Sequence, residues 1–187
     1  IAGRVADRVQ SDNPEALLAH LHEELFEQMQ LRGDRETYYT PQNSYLSCVL
    51  ERRRGSPISL SLVYKAVAER VGLRVVGINA PGHFMVGVAV PKPGDEQAPG
   101  ATTLMLVDPF FGGRVFTPDE AAARVAQIVA HPVPDDPASV LPTASHDRWL
   151  SRMLLNLEQI HEQAGDTHAL RAMLELRTLL ESATHRA

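Results

Sequence analysis

Cysteine is almost missing from this chain: Cys48 stands alone among 187 residues. That excludes an intrachain disulfide and a cysteine-based metal cluster, and it suits a reducing compartment. Aromatic residues are also scarce, at 5%, and are not interleaved with basic ones, so a base-stacking surface for nucleic acid is not expected. No apolar run approaches the ~20 residues that span a bilayer. The opening "IAGRVADRVQ" lacks a signal-peptide core. A cytoplasmic protein that binds neither membrane nor nucleic acid is the expectation, although the sequence does not begin with Met and an upstream segment stays open. Neither GxxxxGKS/T nor GxGxxG occurs, and no histidine pair has the HExxH spacing. No cofactor and no metal are expected.

What is present is ordinary for a globular domain: 44% hydrophobic and 22% charged residues, enough for one substantial core. The formal charge of -5 works against polyanionic partners. "ERRR" at 51–54 is the local exception, either a solvated turn or a phosphate contact.

Hydrophobic spacing divides the chain. In "DNPEALLAHLHEELFEQMQL", Asn13 caps a helix with Pro14 in its first turn, and Leu18, Leu21, Leu25 and Met29 form its apolar face. "SYLSCVLERRR" predicts a short helix turning Tyr45, Cys48 and Val49 inward, with Cys48 as a small buried hydrophobe. Next, "SPISLSLVYKAVAERVGL" has Ser56 as N-cap, Pro57 at the first position and Gly72 at its end. Leu60, Val63, Tyr64, Val67, Ala68 and Val71 share one stripe, so this helix is central and buried. "LRVVGI", "HFMVGVAV" and "TTLMLVDPF" read as three antiparallel strands, the last two joined by the polar "PKPGDEQAPGA". "TPDEAAARVAQIVA" opens with a capping box, Thr117 to Glu120. After a stretch with four prolines between 132 and 142, the remaining residues predict two helices broken near Gly165. Trp149, Met153 and Leu157 mark a face of the first helix. Leu170, Met173, Leu176 and Leu180 mark a face of the second, which together suggest an α-hairpin like one tetratricopeptide unit. The expected division is an α+β body at 1–131, a linker at 132–145 and the hairpin at 146–187.

Three polar places interrupt these apolar segments: the helix head Ser56–Ser59, His83 on a turn before a strand, and Asp108 at a strand end. Adjacent antiparallel strands can bring His83 and Asp108 together, with the helix head facing them. That is the layout of a nucleophile–His–Asp site. Each residue also has a local role open to it. Ser56 can cap the helix, Ser59 can bond nearby backbone, His83 can cap a turn, and Asp108 can hold "DPFFGG" through backbone N–H groups.

The stretches "LFEQMQLRGDRETYYTPQNSYLSCVLERRRGSPISLSLVYKAVAERVGL", "APGHFMVGV" and "LVDPFFGG" resemble the SirB1-like branch of the transglutaminase-like superfamily. "RMLLNLEQIHEQAGDTHAL" is similar to the tetratricopeptide-like tail of such proteins. The resemblance implies an α+β, papain-related fold in which a G-x-C motif opens the central helix and its Cys is the nucleophile. Gly55-Ser56-Pro57 falls on that motif and puts Pro57 at the nucleophile position, while His83 and Asp108 match the family's His and Asp. Proline has no nucleophilic atom. The expectation is therefore a non-catalytic module that binds a protein or peptide, with Asn43, Tyr45, Ser56, Ser59, His83 and Asp108 as candidate binding residues. Two alternatives stand beside it: a hydrolase or acyl transferase using His83, Asp108 and either Ser56 or Cys48, and small-anion binding at the Ser56–Ser59 helix head.

Overall fold

The computed structural model describes residues 1–8, 13–91, 102–129 and 137–184. The predicted polar hairpin loop, the boundary at 131–132 and the first part of the proline-rich linker lie outside the described residues.

Helix α1 (Ala2–Ala6) precedes α2 (Pro14–His22), whose cap is as the sequence predicts: Asn13 accepts the Glu15 N–H at 2.9 Å. α2 runs on into a π-helical turn, Glu23–Gln28, which widens the coil by a residue per turn. Leu18, Leu21 and Leu25 are nevertheless buried, and Met29 packs at the edge of the same cluster. Strand β1 (Arg32–Gly33), a 3-10 turn at Pro41–Asn43, α3 (Leu46–Arg52) and β2 (Arg54–Gly55) follow, with β1 and β2 paired in parallel. Of the three residues expected to face inward here, only Val49 is fully buried. Tyr45 is 37% exposed and Cys48 is half-buried. Tyr45 is the N-cap, with extended backbone, so its side chain leaves the helical stripe before the stripe begins.

Helix α4 (Pro57–Arg70) is the axis of the molecule. Leu60, Val63, Tyr64, Val67 and Ala68 are all buried, each large side chain contributing about 1.5–3 kcal/mol of burial. Val71 lies just beyond the last turn and is half-buried, and Gly72 closes the helix at φ 92°. α4 packs on an antiparallel sheet of β3 (Val75–Ile78), β4 (Met85–Pro91), β5 (Thr102–Asp108), β6 (Arg114–Phe116) and β7 (Thr143–Ala144), in the order β6-β5-β4-β3-β7. Its three central strands are those read from the sequence. The two edge strands are too short to carry an alternating pattern. Between β6 and β7, α5 (Pro118–Val129) has the predicted capping box, in which the Thr117 and Glu120 backbones each donate to the other's side chain.

α6 (His146–Ala164) and α7 (Thr167–Thr184) form the expected hairpin, turning at Gly165 with φ 70°. α6 docks through Trp149, Leu157 and Ile160, all buried. The indole of Trp149 lies 4.7 Å from the Phe84 ring, and its Nε1–H donates to the Ile58 carbonyl at 3.4 Å. Gly77 makes this possible, since a Cβ there would come within 2.5 Å of the indole. α7 contacts α6 but buries none of its residues. Among the described residues, no helix is long and apolar enough to cross a membrane.

Candidate functional site

Strand pairing positions the central pair. β4 and β5 run antiparallel with Val86 opposite Val107. The turn before β4 and the end of β5 therefore fall at the same edge, where His83 Nε2 meets Asp108 Oδ2 at 2.7 Å. Both are buried, at 6% and 0% side-chain exposure. Asp108 performs its two anticipated roles at once, because its other oxygen accepts the Phe110 N–H at 3.0 Å. A carboxylate accepts, so Nε2 carries the proton in the neutral ring and Nδ1 keeps a lone pair. Among the described residues, nothing hydrogen-bonds Nδ1.

His83 borders a cleft of about 230 Å³ together with the head of α4 (Ser56, Pro57 and Ile58). Tyr38 and Tyr39 form its lip, and Arg152, Asn156 and Gln159 of α6 form the opposite wall. Tyr39 is 68% exposed. Partial burial raises the hydroxyl pKa of Tyr38, so its phenol stays a neutral donor. One arm of Arg152 is fixed on the Asn79 side-chain oxygen at 2.6 Å.

The floor is already satisfied internally. Ser56 Oγ accepts the Ser59 N–H at 3.4 Å, the cap expected from sequence, and lies 2.8 Å from Ser59 Oγ. Ser59 Oγ in turn donates to the Asn43 carbonyl. Asn43 is fully buried and gives its side-chain N–H groups to the Thr37 and Tyr38 carbonyls, fixing the tyrosine lip from below. Asp34 holds the other end of that loop. Burial acts to raise its pKa, but hydrogen bonds from Thr37, Arg52 and Asn43 outweigh it and hold the carboxyl at about 2.

Of the residues singled out from sequence, His83, Asp108, Ser56 and Pro57 are thus brought together. Ser59 and Asn43 lie beneath them. Tyr45 points to the hairpin instead, its hydroxyl 3.1 Å from His161 Nε2, and Cys48 on α3 does not border the cleft. No serine hydroxyl or thiol hydrogen-bonds the imidazole among the described residues. The sequence reading missed Arg152, Asn156 and Gln159. Their spacing of four and three marks a polar stripe on α6, beside the apolar face of Trp149, Met153 and Leu157. The adjacent tyrosines of "ETYYTP" were the other visible signal.

A helix leading into a small antiparallel sheet, with a buried His–Asp pair at the sheet edge facing the helix head, defines the transglutaminase-like class of α+β proteins. The chain belongs to that superfamily, matching its Transglut_core2 family over residues 1–155. It is 37% identical over 146 residues to a UPF0162 protein of Xylella fastidiosa (strain 9a5c), covering 77% of this chain and 48% of that protein. UPF0162 protein PA3419 of Pseudomonas aeruginosa is 35% identical over 126 residues, 67% of this chain and 42% of that protein. F-box only protein 21 of Homo sapiens is 30% identical over 145 residues, 75% of this chain and 21% of that protein. The chain thus spans about half the length, or less, of these relatives. No solved structure matches it.

Pro57, the first residue of α4, carries neither a nucleophilic side-chain atom nor a backbone N–H. With the Ser59 N–H occupied by Ser56 Oγ, Ile58 has the first backbone donor at the cleft without a partner among the described residues.

Proposed function

We propose that this chain is a non-catalytic, transglutaminase-like module whose cleft binds an extended segment of a partner protein. The observation that carries the reading is the pairing of an intact His83–Asp108 bond with Pro57 at the helix head. The groove and its orienting groups are kept while the bond-forming atom is not. The lining suits a peptide. The tyrosine lip supplies rigid amphipathic contact area, Asn156 and Gln159 offer amides that match a peptide backbone, and His83 Nδ1 accepts a donor from the bound segment. The same segment makes up a small part of the F-box only relatives, which fits a module used within larger chains. On this reading the protein works in the cytoplasm, and the C-terminal hairpin is a tetratricopeptide-like unit that walls the cleft.

The test is a peptide-display selection against the purified chain, with backbone amide NMR mapping of the selected ligand. Shifts should concentrate at residues 38–39, 56–58, 83 and 156–159, and Tyr39→Ala should weaken binding about tenfold. Labelling by a serine- or thiol-directed acylating probe that disappears in His83→Ala, while a Pro57→Ala control still labels, would overturn the non-catalytic reading.

A further inference from the structure

On the far side of Phe110 and Phe111 from the cleft lies a second, wider groove of about 450 Å³. The "ERRR" run reaches it through the fold. β1 and β2 pair in parallel, with Arg32 opposite Arg54, and the backbone locks that register: the Arg32 N–H donates to the Arg53 carbonyl and the Asp34 N–H to the Gly55 carbonyl, both at 3.1 Å. Two guanidinium-bearing residues are thereby fixed side by side, an arrangement that costs stability when nothing offsets it. Arg35 joins them at the groove, with its guanidinium 4.6 Å from the Phe111 ring centre.

Little in the described fold offsets this charge. Among the described residues, Arg32, Arg35 and Arg54 have no carboxylate within ion-pair distance, whereas the neighbouring Arg52 is tied to Asp34 at 3.0 Å. Glu36 is the one carboxylate lining the groove against these three arginines. Arg124 packs over the same Phe111 ring at 4.1 Å, and its buried Nε has no hydrogen-bond partner. A concentrated positive groove in a chain of net charge -5 is a local feature that its overall composition does not produce.

We propose that this groove is a second docking site, separate from the cleft, and that it takes an extended, carboxylate-rich segment of a partner protein. Planar guanidinium groups pair with carboxylates through two parallel hydrogen bonds, and neighbouring arginines match acidic side chains spaced along an extended strand. Nucleic acid fits less well for two reasons. The net negative charge of the chain repels a long polyanion. Phe110 is buried and the Phe111 ring is already occupied by guanidinium groups, so no open aromatic face is left for a base.

The experiment is a fluorescence-anisotropy titration of the full chain with a short fluorescein-labelled peptide of alternating Glu and Ala, and with its Gln–Ala counterpart. The Glu peptide should bind at least about tenfold more tightly than the Gln peptide, and added salt should erode the difference. Arg32→Glu/Arg54→Glu should lose at least about tenfold in affinity, and Arg32→Lys/Arg54→Lys, which keeps charge but not the fork, about threefold. Arg70→Glu/Arg171→Glu should bind as the parent does. Circular dichroism of each variant verifies that it is folded. Equal affinity for the two peptides, equal loss in the Arg70/Arg171 control, or tighter binding of a single-stranded oligonucleotide at the same salt would overturn the proposal.

Discussion

The cleft and the arginine groove share a partition of two phenylalanines, yet they treat polar groups in opposite ways. On the cleft side, His83 is bonded to Asp108, Ser56 to Ser59, Ser59 to Asn43, and Asp34 to Thr37 and Arg52. On the groove side, Arg32, Arg35 and Arg54 stand without an acidic partner among the described residues. Buried polar groups that are fully satisfied within the fold hold a shape, and removing one strands its partner. Like charges left unpaired at the surface add nothing to the stability of the fold and are available to a ligand. The two sides should therefore answer substitution with opposite signs.

The largest effect is expected at Asp108. Asp108→Ala strands a buried imidazole and the Phe110 N–H together, and should cost about 3 kcal/mol, read from the urea midpoint at constant m. A loss below ~1 kcal/mol would mean the pair is not structurally coupled. Next comes pH. His22 bonds the Tyr64 hydroxyl at 2.9 Å, and burial lowers its pKa to about 4, so it is neutral in the fold. The unfolded chain binds a proton near the ordinary value of 6.5. Stability is therefore complete above that value, falls as pH drops from 6.5 towards 4, and levels off below. The drop should be about 2 kcal/mol once partial solvent access is allowed for, and His22→Gln should abolish that slope in denaturation curves taken across the range.

Smaller still is Ser56→Ala, which removes the α4 cap at an expected cost of about 1 kcal/mol in thermal or chemical unfolding. At the bottom of the scale, Arg54→Gln should leave stability unchanged or raise it by up to ~0.5 kcal/mol, with the gain shrinking in high salt. A clear destabilisation by Arg54→Gln would break the contrast, because it would place that arginine in the same category as Asp108.

How much of this was legible in the sequence follows from what each feature depends on. The α4 stripe, the Asn13 and Ser56 caps, the Thr117–Glu120 box and the three central strands are local signals, and the structure reproduces them. His83 and Asp108 could be paired because two neighbouring antiparallel strands constrain where their ends lie. Tyr45 was misplaced because a seven-residue helix carries too little periodicity to settle its first position. The edge strands β6 and β7 and the β1–β2 bridge were invisible for a related reason, being two or three residues long and set by tertiary position. So was the α6 wall, since Arg152, Asn156 and Gln159 join the cleft only through the way the hairpin docks. "ERRR" was noticed as an oddity, but its partner Arg32 comes from a segment some twenty residues earlier.

The chain's one tryptophan, Trp149, sits where sheet, central helix and hairpin meet, 3% exposed and hydrogen-bonded to the first turn of α4. Its indole, the one fluorophore of its kind in the chain, thus lies at the contact between the body and the hairpin that walls the cleft. Its emission colour reports directly on whether the hairpin is seated. A red shift that precedes the loss of far-ultraviolet ellipticity would reveal the wall lifting away from an otherwise folded body.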